Sequence, residues 1–236
     1  MRFLVFQHIN IEHPGVFREF MAKDDIECTT VELDEGESIP SFDGYDALWV
    51  MGGPQNVWQE DEYPWLREEK AAIRDAIVKR EMPFLGLCLG HQLLADTLGG
   101  EVGLMTSPEV GILEVELTPA GKADPVLAGF APVGPCLQWH EAEVTRTPPG
   151  AEVLVSSPIC AVQAMRVGER AYSFQYHLEP TKDTVPQWGC VPSYEKALEE
   201  TLGKGALARL ETEMSDNLPT FRTNAKRLYD NFKNLI

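Results

Sequence analysis

The 236-residue sequence predicts an open α/β sheet in three layers, mostly parallel, with helices on both faces and a mixed or antiparallel extension. In the N-terminal part, short apolar runs alternate with segments of helical periodicity, which is the pattern of strand–helix units. The middle of the chain is rich in β-forming residues separated by turn residues, which indicates the extension. Because 44% of the residues are hydrophobic, the chain can fill a core of ordinary size. We expect a single domain over residues 1–236, with residues 181–236 as a helical C-terminal extension.

The parallel part of the sheet is predicted from four apolar runs that end at polar or turn residues. These runs cover residues 2–8, 28–33, 47–51 and 83–87. Apolar residues at helical spacing predict helices over residues 16–23, 64–80 and 91–98. The acidic, turn-rich segment 34–44 predicts a loop. Parallel strands covered on both faces by helices form a flavodoxin-like arrangement.

The extension is predicted from five β-rich segments, residues 110–118, 137–145, 152–156, 161–167 and 170–176. Residues 193–236 then become helical again. Their apolar positions lie three or four residues apart and form one stripe, made of Phe221, Ala225, Leu228, Phe232 and Leu235. Two interpretations are open: the stripe packs on the parent domain, or it forms a surface for a homodimer.

Charge and cysteine content exclude several classes of partner. Lys and Arg total 20 against 37 Asp and Glu, a net charge of −17, so nucleic acid and anionic membranes are not expected as partners. The apolar run at the N-terminus is too short for a signal peptide, and no stretch is long enough for a membrane-spanning helix. The five cysteines are odd in number and widely spaced, which argues against a disulfide framework or a zinc site. We expect a reducing, cytoplasmic location.

Cys88 is the candidate nucleophile. It lies between Gly86 and Gly90, where a buried strand is predicted to end and a helix to begin. Small residues on both sides of a nucleophile allow the sharp turn that presents it above the edge of a sheet. The N–H groups at the start of a helix favour the thiolate, so the pKa of Cys88 is expected to be lowered. The other four cysteines, Cys28, Cys136, Cys160 and Cys190, are assigned to packing.

His177 and Glu179 are the candidate base and its orienting acid, because a cysteine nucleophile needs a proton carrier held in position. They follow an apolar strand, and side chains two residues apart can point the same way. His140 is a rival base, but its neighbour Glu141 would face the other side of a strand. His91 is interpreted as a packing residue, and neither His8 nor His13 has an evident partner.

A tetrahedral intermediate also needs hydrogen-bond donors for its oxyanion. The backbone N–H of Leu89, directly after the nucleophile, is one candidate. The N–H of Gly53 is the other, because Gly52-Gly53-Pro54 ends the strand expected beside the nucleophile strand. The alternative interpretation is that this tripeptide is only a turn.

Three motifs together resemble class I glutamine amidotransferases, especially the glutaminase domain of GMP synthases and its free-standing relatives. They are the Gly-Gly-Pro turn, the string Gly86-Leu87-Cys88-Leu89-Gly90-His91-Gln92, and the late Gln175-Tyr176-His177-Leu178-Glu179. The resemblance implies a Cys88–His177–Glu179 triad that hydrolyses the side-chain amide of glutamine through a γ-glutamyl thioester. It also implies that Gln92, His140 and the backbone near Gly52 and Gly53 bind the substrate. No cofactor or metal is implied, because the thiolate supplies the nucleophile.

The sequence departs from that family at two positions. Many relatives have proline between the histidine and the glutamate, where this chain has Leu178. Some free-standing relatives carry an acid two residues after the histidine that corresponds to His140, where this chain has Ala142.

The fate of the ammonia is left open by the sequence. Residues 181–236 are too few for the ATP-using domain of a full synthase, so ammonia would pass to a separate synthase subunit or be released. A γ-glutamyl peptide or amine is the alternative substrate. Two further alternatives are a non-catalytic binding or regulatory module on the same fold and a cysteine hydrolase that uses another acid.

Overall fold

The computed structural model describes residues 1–236 and contains one nine-stranded sheet. The strands are Arg2–Gln7 (β1), Glu27–Glu32 (β2), Ala47–Val50 (β3), Phe84–Leu87 (β4), Glu101–Leu117 (β5), Val133–Arg146 (β6), Ala151–Ser156 (β7), Ala164–Val167 (β8) and Ala171–Phe174 (β9). Their order in the sheet is β2-β1-β3-β4-β9-β8-β7-β5-β6. The predicted α/β class, with a parallel part and an antiparallel extension, is confirmed.

Five neighbouring strands, from β2 to β9, pair in parallel. The central strands β1, β3, β4 and β9 are almost entirely buried, since helices cover both faces of the sheet. All five strands end at one edge, and the residues that follow three of them are His8, Met51 and Cys88. This edge is where open α/β sheets hold their ligands.

The remaining pairs, from β9 through β8, β7 and β5 to β6, are antiparallel. The segment predicted over residues 110–118 is the end of a longer strand, because β5 begins at Glu101 and is irregular between Leu104 and Glu109. The added part is exposed or half-buried except at Glu109, so it lacks the apolar alternation by which a strand is predicted.

The helices are Phe17–Lys23 (α1), Trp65–Arg74 (α2), Leu89–Thr97 (α3), Pro119–Ala123 (α4), Thr184–Trp188 (α5), Pro192–Leu202 (α6) and Ala206–Lys233 (α7). Helix α2 continues as one π-helical turn over Asp75–Lys79, and a 3₁₀ turn covers Pro125–Leu127. Helix α3 begins at Leu89, two residues before the predicted start at His91. Helix α4 was not predicted, because its five residues show no helical period; Thr118 caps its start with a 3.0 Å hydrogen bond from Gly121 N–H.

The C-terminal apolar stripe packs on the chain's own core. Ala225, Leu228 and Phe232 on α7 are fully buried in the cluster that contains β3 and β9 side chains. The Phe232 ring meets Trp49 of β3 edge-on, with 5.8 Å between centroids. The stripe therefore packs against the core of its own chain. It gives no support to the interpretation that it forms a homodimer surface.

All five cysteines are free. Among the helices, none combines the length and the apolar character that crossing a bilayer requires.

Candidate active site

Cys88 occupies a strained turn between β4 and α3. Its φ of 50° and ψ of −104° are unusual for a residue with a side chain. Backbone hydrogen bonds hold the turn on both sides: Cys88 N–H donates to the carbonyl of Phe174 at 2.8 Å, and Gly90 N–H donates to the carbonyl of Met51 at 3.1 Å. The sheet thus fixes the conformation that presents the thiol at its edge.

The flanking glycines are required by close backbone contacts. A Cβ on Gly90 would lie 2.2 Å from the carbonyl oxygen of Val50, and a Cβ on Gly86 would lie 2.5 Å from the carbonyl oxygen of Gly90. The glycine spacing that singled out Cys88 in the sequence is therefore explained by the packing of α3 against β3 and β4.

The structure brings Cys88, His177 and Glu179 together. The Cys88 thiol lies beside the His177 imidazole, close enough for each group to shift the pKa of the other. On the other side of the ring, His177 Nδ1 lies 2.6 Å from Glu179 Oε1. The second oxygen of Glu179 accepts a 2.8 Å hydrogen bond from Leu178 N–H, a bond that proline could not make. The ring of Trp188 packs edge-on against the imidazole at 4.5 Å.

The pKa of the Cys88 thiol differs from the value expected from the sequence. Burial raises the pKa of Cys88, and the neighbouring His177 only partly opposes it, so the predicted lowering is wrong. Burial alone would lower the pKa of His177, but Glu179 and Cys88 outweigh it and raise that pKa well above its ordinary value.

A cavity of about 260 Å³ opens beside Cys88. Gly53 and Leu89 line it, and their role as an oxyanion hole stays a prediction. The N–H of Gly53 donates to no acceptor in the protein. Leu89 is the first residue of α3, and its N–H therefore precedes the first hydrogen bonds within the helix. Two backbone donors thus border the space next to the thiol.

Gln92 and His140 also line the cavity. The Gln92 amide nitrogen donates to the carbonyl of Ala142 and to Gln175 Oε1, both at 3.1 Å. Gln175 Nε2 in turn lies 3.8 Å from Cys88 Sγ. Gln175 was quoted in the motif but given no role, because only the fold places its buried side chain against the sulfur.

His140 does not serve the thiol. Its Nδ1 faces the carbonyl of Ala142 at 2.9 Å, and its Nε2 lies 3.1 Å from the buried Glu109. These contacts count against the rival-base interpretation, and binding of substrate by His140 stays a prediction. His91 is buried and bonded to Ser173 Oγ at 2.8 Å, and burial lowers its pKa to about 3, which agrees with a packing role.

Glu12 is a third carboxylate at the site that the sequence did not indicate. It is buried, one of its oxygens accepts from the Tyr194 hydroxyl, and the other has no partner. Burial raises the pKa of Glu12. Gly52 lies against it, because a Cβ on Gly52 would be 1.8 Å from Glu12 Oε2 and 3.3 Å from His177 Cε1. The predicted Gly52 is therefore needed for space, and no substrate contact is assigned to it.

No group of three or more His, Cys, Asp or Glu side chains is arranged to hold a metal ion. The strained cysteine elbow, the imidazole–carboxylate pair and two backbone donors lie together at one edge of the α/β sheet. This is the arrangement of groups that a cysteine-dependent hydrolase needs.

Comparison with known proteins gives the family. The family model described as glutamine amidotransferase class-I matches residues 16–185. The chain therefore belongs to the class-I glutamine amidotransferase family and is an amide hydrolase of that type. Helices α6 and α7 lie outside the matched residues.

Relatives and solved structures agree with this assignment. The chain is 30% identical over 201 residues to the glutamine amidotransferase-like protein YfeJ of Salmonella typhimurium, covering 84% of this chain and 82% of that protein. It is 32% identical over 150 residues to a subunit of the glutamine-hydrolysing GMP synthase of Sulfolobus acidocaldarius, covering 63% and 75%. A glutamine amidotransferase structure from Thermotoga maritima superposes with a TM-score of 0.88 at 25% identity, covering 98% and 97%.

Proposed function

We propose that the chain hydrolyses the side-chain amide of glutamine through a γ-glutamyl thioester on Cys88. The observation that carries the proposal is that Cys88 lies beside the hydrogen-bonded His177–Glu179 pair, next to a cavity bordered by backbone donors. The family membership of the chain supports glutamine as the substrate.

In the acylation step, Cys88 Sγ attacks the δ-carbonyl carbon while its proton passes to His177. The N–H groups of Gly53 and Leu89 stabilise the negative charge that develops on the carbonyl oxygen. His177 then gives the proton to the departing nitrogen, the carbon–nitrogen bond breaks, and ammonia leaves. Glu179 holds the imidazole in orientation and stabilises its cationic form.

In the second step, His177 takes a proton from water, and the resulting hydroxide attacks the thioester carbon. The carbon–sulfur bond breaks, glutamate leaves, and the proton returns to the thiolate. No oxidant, reductant or cofactor enters this balance. The ammonia either passes to a separate synthase protein, as the relatives that are GMP synthase subunits suggest, or is released.

A γ-glutamyl peptide or amine is the second candidate substrate. The cavity extends from Cys88 to Lys196 and Glu200 on α6, whose side chains are largely exposed. A substituent on the amide nitrogen therefore has room on the solvent side. Such a substrate would use the same chemistry and release an amine in place of ammonia.

The test is an assay of glutamate formation from glutamine and from a panel of γ-glutamyl peptides and amines. Cys88→Ala should abolish turnover, and Cys28→Ala, at an exposed cysteine, should not. A diazo-ketone analogue of glutamine should label Cys88 in the wild-type chain. Turnover that persists in Cys88→Ala, or labelling at another cysteine, would contradict the proposal.

A further inference from the structure

His8 is a buried histidine outside the triad, at the C-terminal end of β1, and it contacts the turn that carries Gly53. Its Nδ1 lies 2.9 Å from the carbonyl oxygen of Gly52, and its Nε2 lies 2.8 Å from Glu69 Oε1 on α2. Both side chains are completely buried. The Trp65 ring, one helical turn before Glu69, stacks on the imidazole with 5.5 Å between centroids and 15° between planes.

The partners of His8 determine its protonation. A carbonyl oxygen can only accept a hydrogen bond, so Nδ1 must carry a proton and donate to Gly52, while Nε2 is hydrogen-bonded to the Glu69 carboxyl group. Burial alone would lower the pKa of His8, but Glu69 and the Gly52 carbonyl raise it above its ordinary value. The Gly52 carbonyl thus receives a hydrogen bond from a ring that Glu69 holds on its other side.

The orientation of that carbonyl decides where the next N–H points. The Gly52 carbonyl and the Gly53 N–H belong to one peptide unit, which is planar and trans, so the two groups point in opposite directions. A carbonyl held toward His8 turns the N–H away from His8. Gly53 lines the cavity with Cys88, and its N–H has no acceptor in the protein.

We propose that His8 and Glu69 are positioning residues of the oxyanion hole, which clamp the Gly52 carbonyl so that the Gly53 N–H faces the substrate carbonyl. The inference rests on the proposed function, since it assigns the Gly53 N–H to the developing oxyanion. Glycine has a wide choice of backbone conformations, so without a clamp the Gly52-Gly53 peptide could turn. Because the clamp lies within the chain, the donor is in place without a second protein.

The test compares two reactions of Cys88: acylation by glutamine, which develops an oxyanion, and alkylation by iodoacetamide, which does not. His8→Phe fills the space but removes the donor to Gly52 and the contact with Glu69, and it should lower kcat for glutamine hydrolysis by about a hundredfold, the usual effect of losing one oxyanion donor. KM should change little. Alkylation of Cys88 by iodoacetamide should stay within about twofold of wild type, because displacement of iodide builds no oxyanion. His8→Asn keeps an amide nitrogen near the position of Nδ1 and should recover most of kcat.

Two further variants control for stability. Glu69→Gln keeps the shape of the native side chain and replaces His8→Phe in the test if that variant does not fold. In Glu69→Gln, kcat should fall by a smaller factor, while the alkylation rate of Cys88 should stay near that of wild type. Asp124→Asn breaks another buried pair, with Arg166 at 2.9 Å, and touches no residue of the cavity. It should change the unfolding midpoint and leave both rates unchanged.

Equal kcat in wild type and His8→Phe, or a parallel fall of kcat and alkylation rate, would overturn the clamp. A crystal structure of His8→Phe gives a readout independent of turnover: a rotated Gly52 carbonyl supports the clamp, and an unchanged one contradicts it. If the wild-type chain releases neither ammonia from glutamine nor p-nitroaniline from its γ-glutamyl conjugate, the proposed function fails, whereas the crystal structure still decides on the clamp.

Discussion

The backbone of Leu178 helps to hold Glu179, the carboxylate that contacts His177. The family pattern that the sequence resembles has proline at this position, which has no N–H to donate. Here the Leu178 N–H donates to Glu179 Oε2 at 2.8 Å, while Oε1 faces His177 at 2.6 Å. Both oxygens of the Glu179 carboxylate are thus hydrogen-bonded. Leucine at position 178 supplies one of these bonds, which proline could not.

Replacing Leu178 by proline should lower kcat about fivefold, because one hydrogen bond of roughly 1 kcal/mol that orients Glu179 is lost. Leu178→Ala keeps the N–H and is the matched control. Steady-state kinetics on both variants check this expectation. Equal kcat in the two would show that the bond does not matter to turnover.

The pH profile should report the pKa of His177. The imidazole must be unprotonated to accept the Cys88 proton, and its pKa is raised well above 6.5 by Glu179 and Cys88, against the lowering effect of burial. The alkylation rate of Cys88 should therefore rise with pH, with a midpoint above that value. Glu179→Gln removes the negative charge that favours the imidazolium, so the midpoint should move to lower pH.

In the same variant, kcat should fall less than in His177→Asn, because an amide can still hold the ring. Rates of iodoacetamide labelling and of turnover across pH measure both effects. A midpoint that stays in place or moves upward in Glu179→Gln would contradict this role of the pair.

At the scale of elements, the strand–turn–helix around Cys88 could be predicted because its signal is local. The glycines and the apolar run lie within a few residues, and the structure shows the contacts that demand them. His8, Glu12 and Gln175 could not be assigned, because their contacts join segments far apart in sequence. His8 directly follows a buried strand at the ligand-binding edge, and that position was the one available signal.

The same distinction applies to the fold. The apolar strands of the parallel part were predicted closely because buried strands are continuous apolar runs. The exposed first half of β5 and the five-residue helix α4 were missed, because neither carries a hydrophobic period and their ends are set by pairing and capping. The pKa of Cys88 was misjudged because burial in the finished fold outweighs the start of the helix.

Gly90→Ala tests the packing of the elbow. The added Cβ would lie 2.2 Å from the Val50 carbonyl oxygen, so α3 must move away from β3. We expect a loss of about 1–3 kcal/mol in the free energy of unfolding and a clear fall in kcat. Gly134→Ala is the control, because a Cβ there meets nothing within 4 Å. Denaturant unfolding and turnover of both proteins give the comparison, and an unaffected Gly90→Ala would refute the steric explanation.

At the scale of the whole molecule, α7 packs against the same core as the strands that carry the site. Phe232 is fully buried against Trp49, so Phe232→Ala should lower the free energy of unfolding by about 3–5 kcal/mol. Ile236→Ala, at an exposed residue, is the control and should be within about 0.5 kcal/mol of wild type. The oligomeric mass should stay the same in both, because the stripe is buried within the chain. A change of mass without a change of stability would restore the dimer interpretation.

The central claim is that the acyl group of the substrate is transferred to Cys88. The most direct measurement is rapid acid quenching of the enzyme during glutamine turnover, followed by peptide mass spectrometry. We expect a γ-glutamyl group on the peptide that contains Cys88, formed before the steady state and removed by hydroxylamine. An acyl group on any other residue, or full turnover with no acylated peptide even when deacylation is slowed at low temperature, would contradict it.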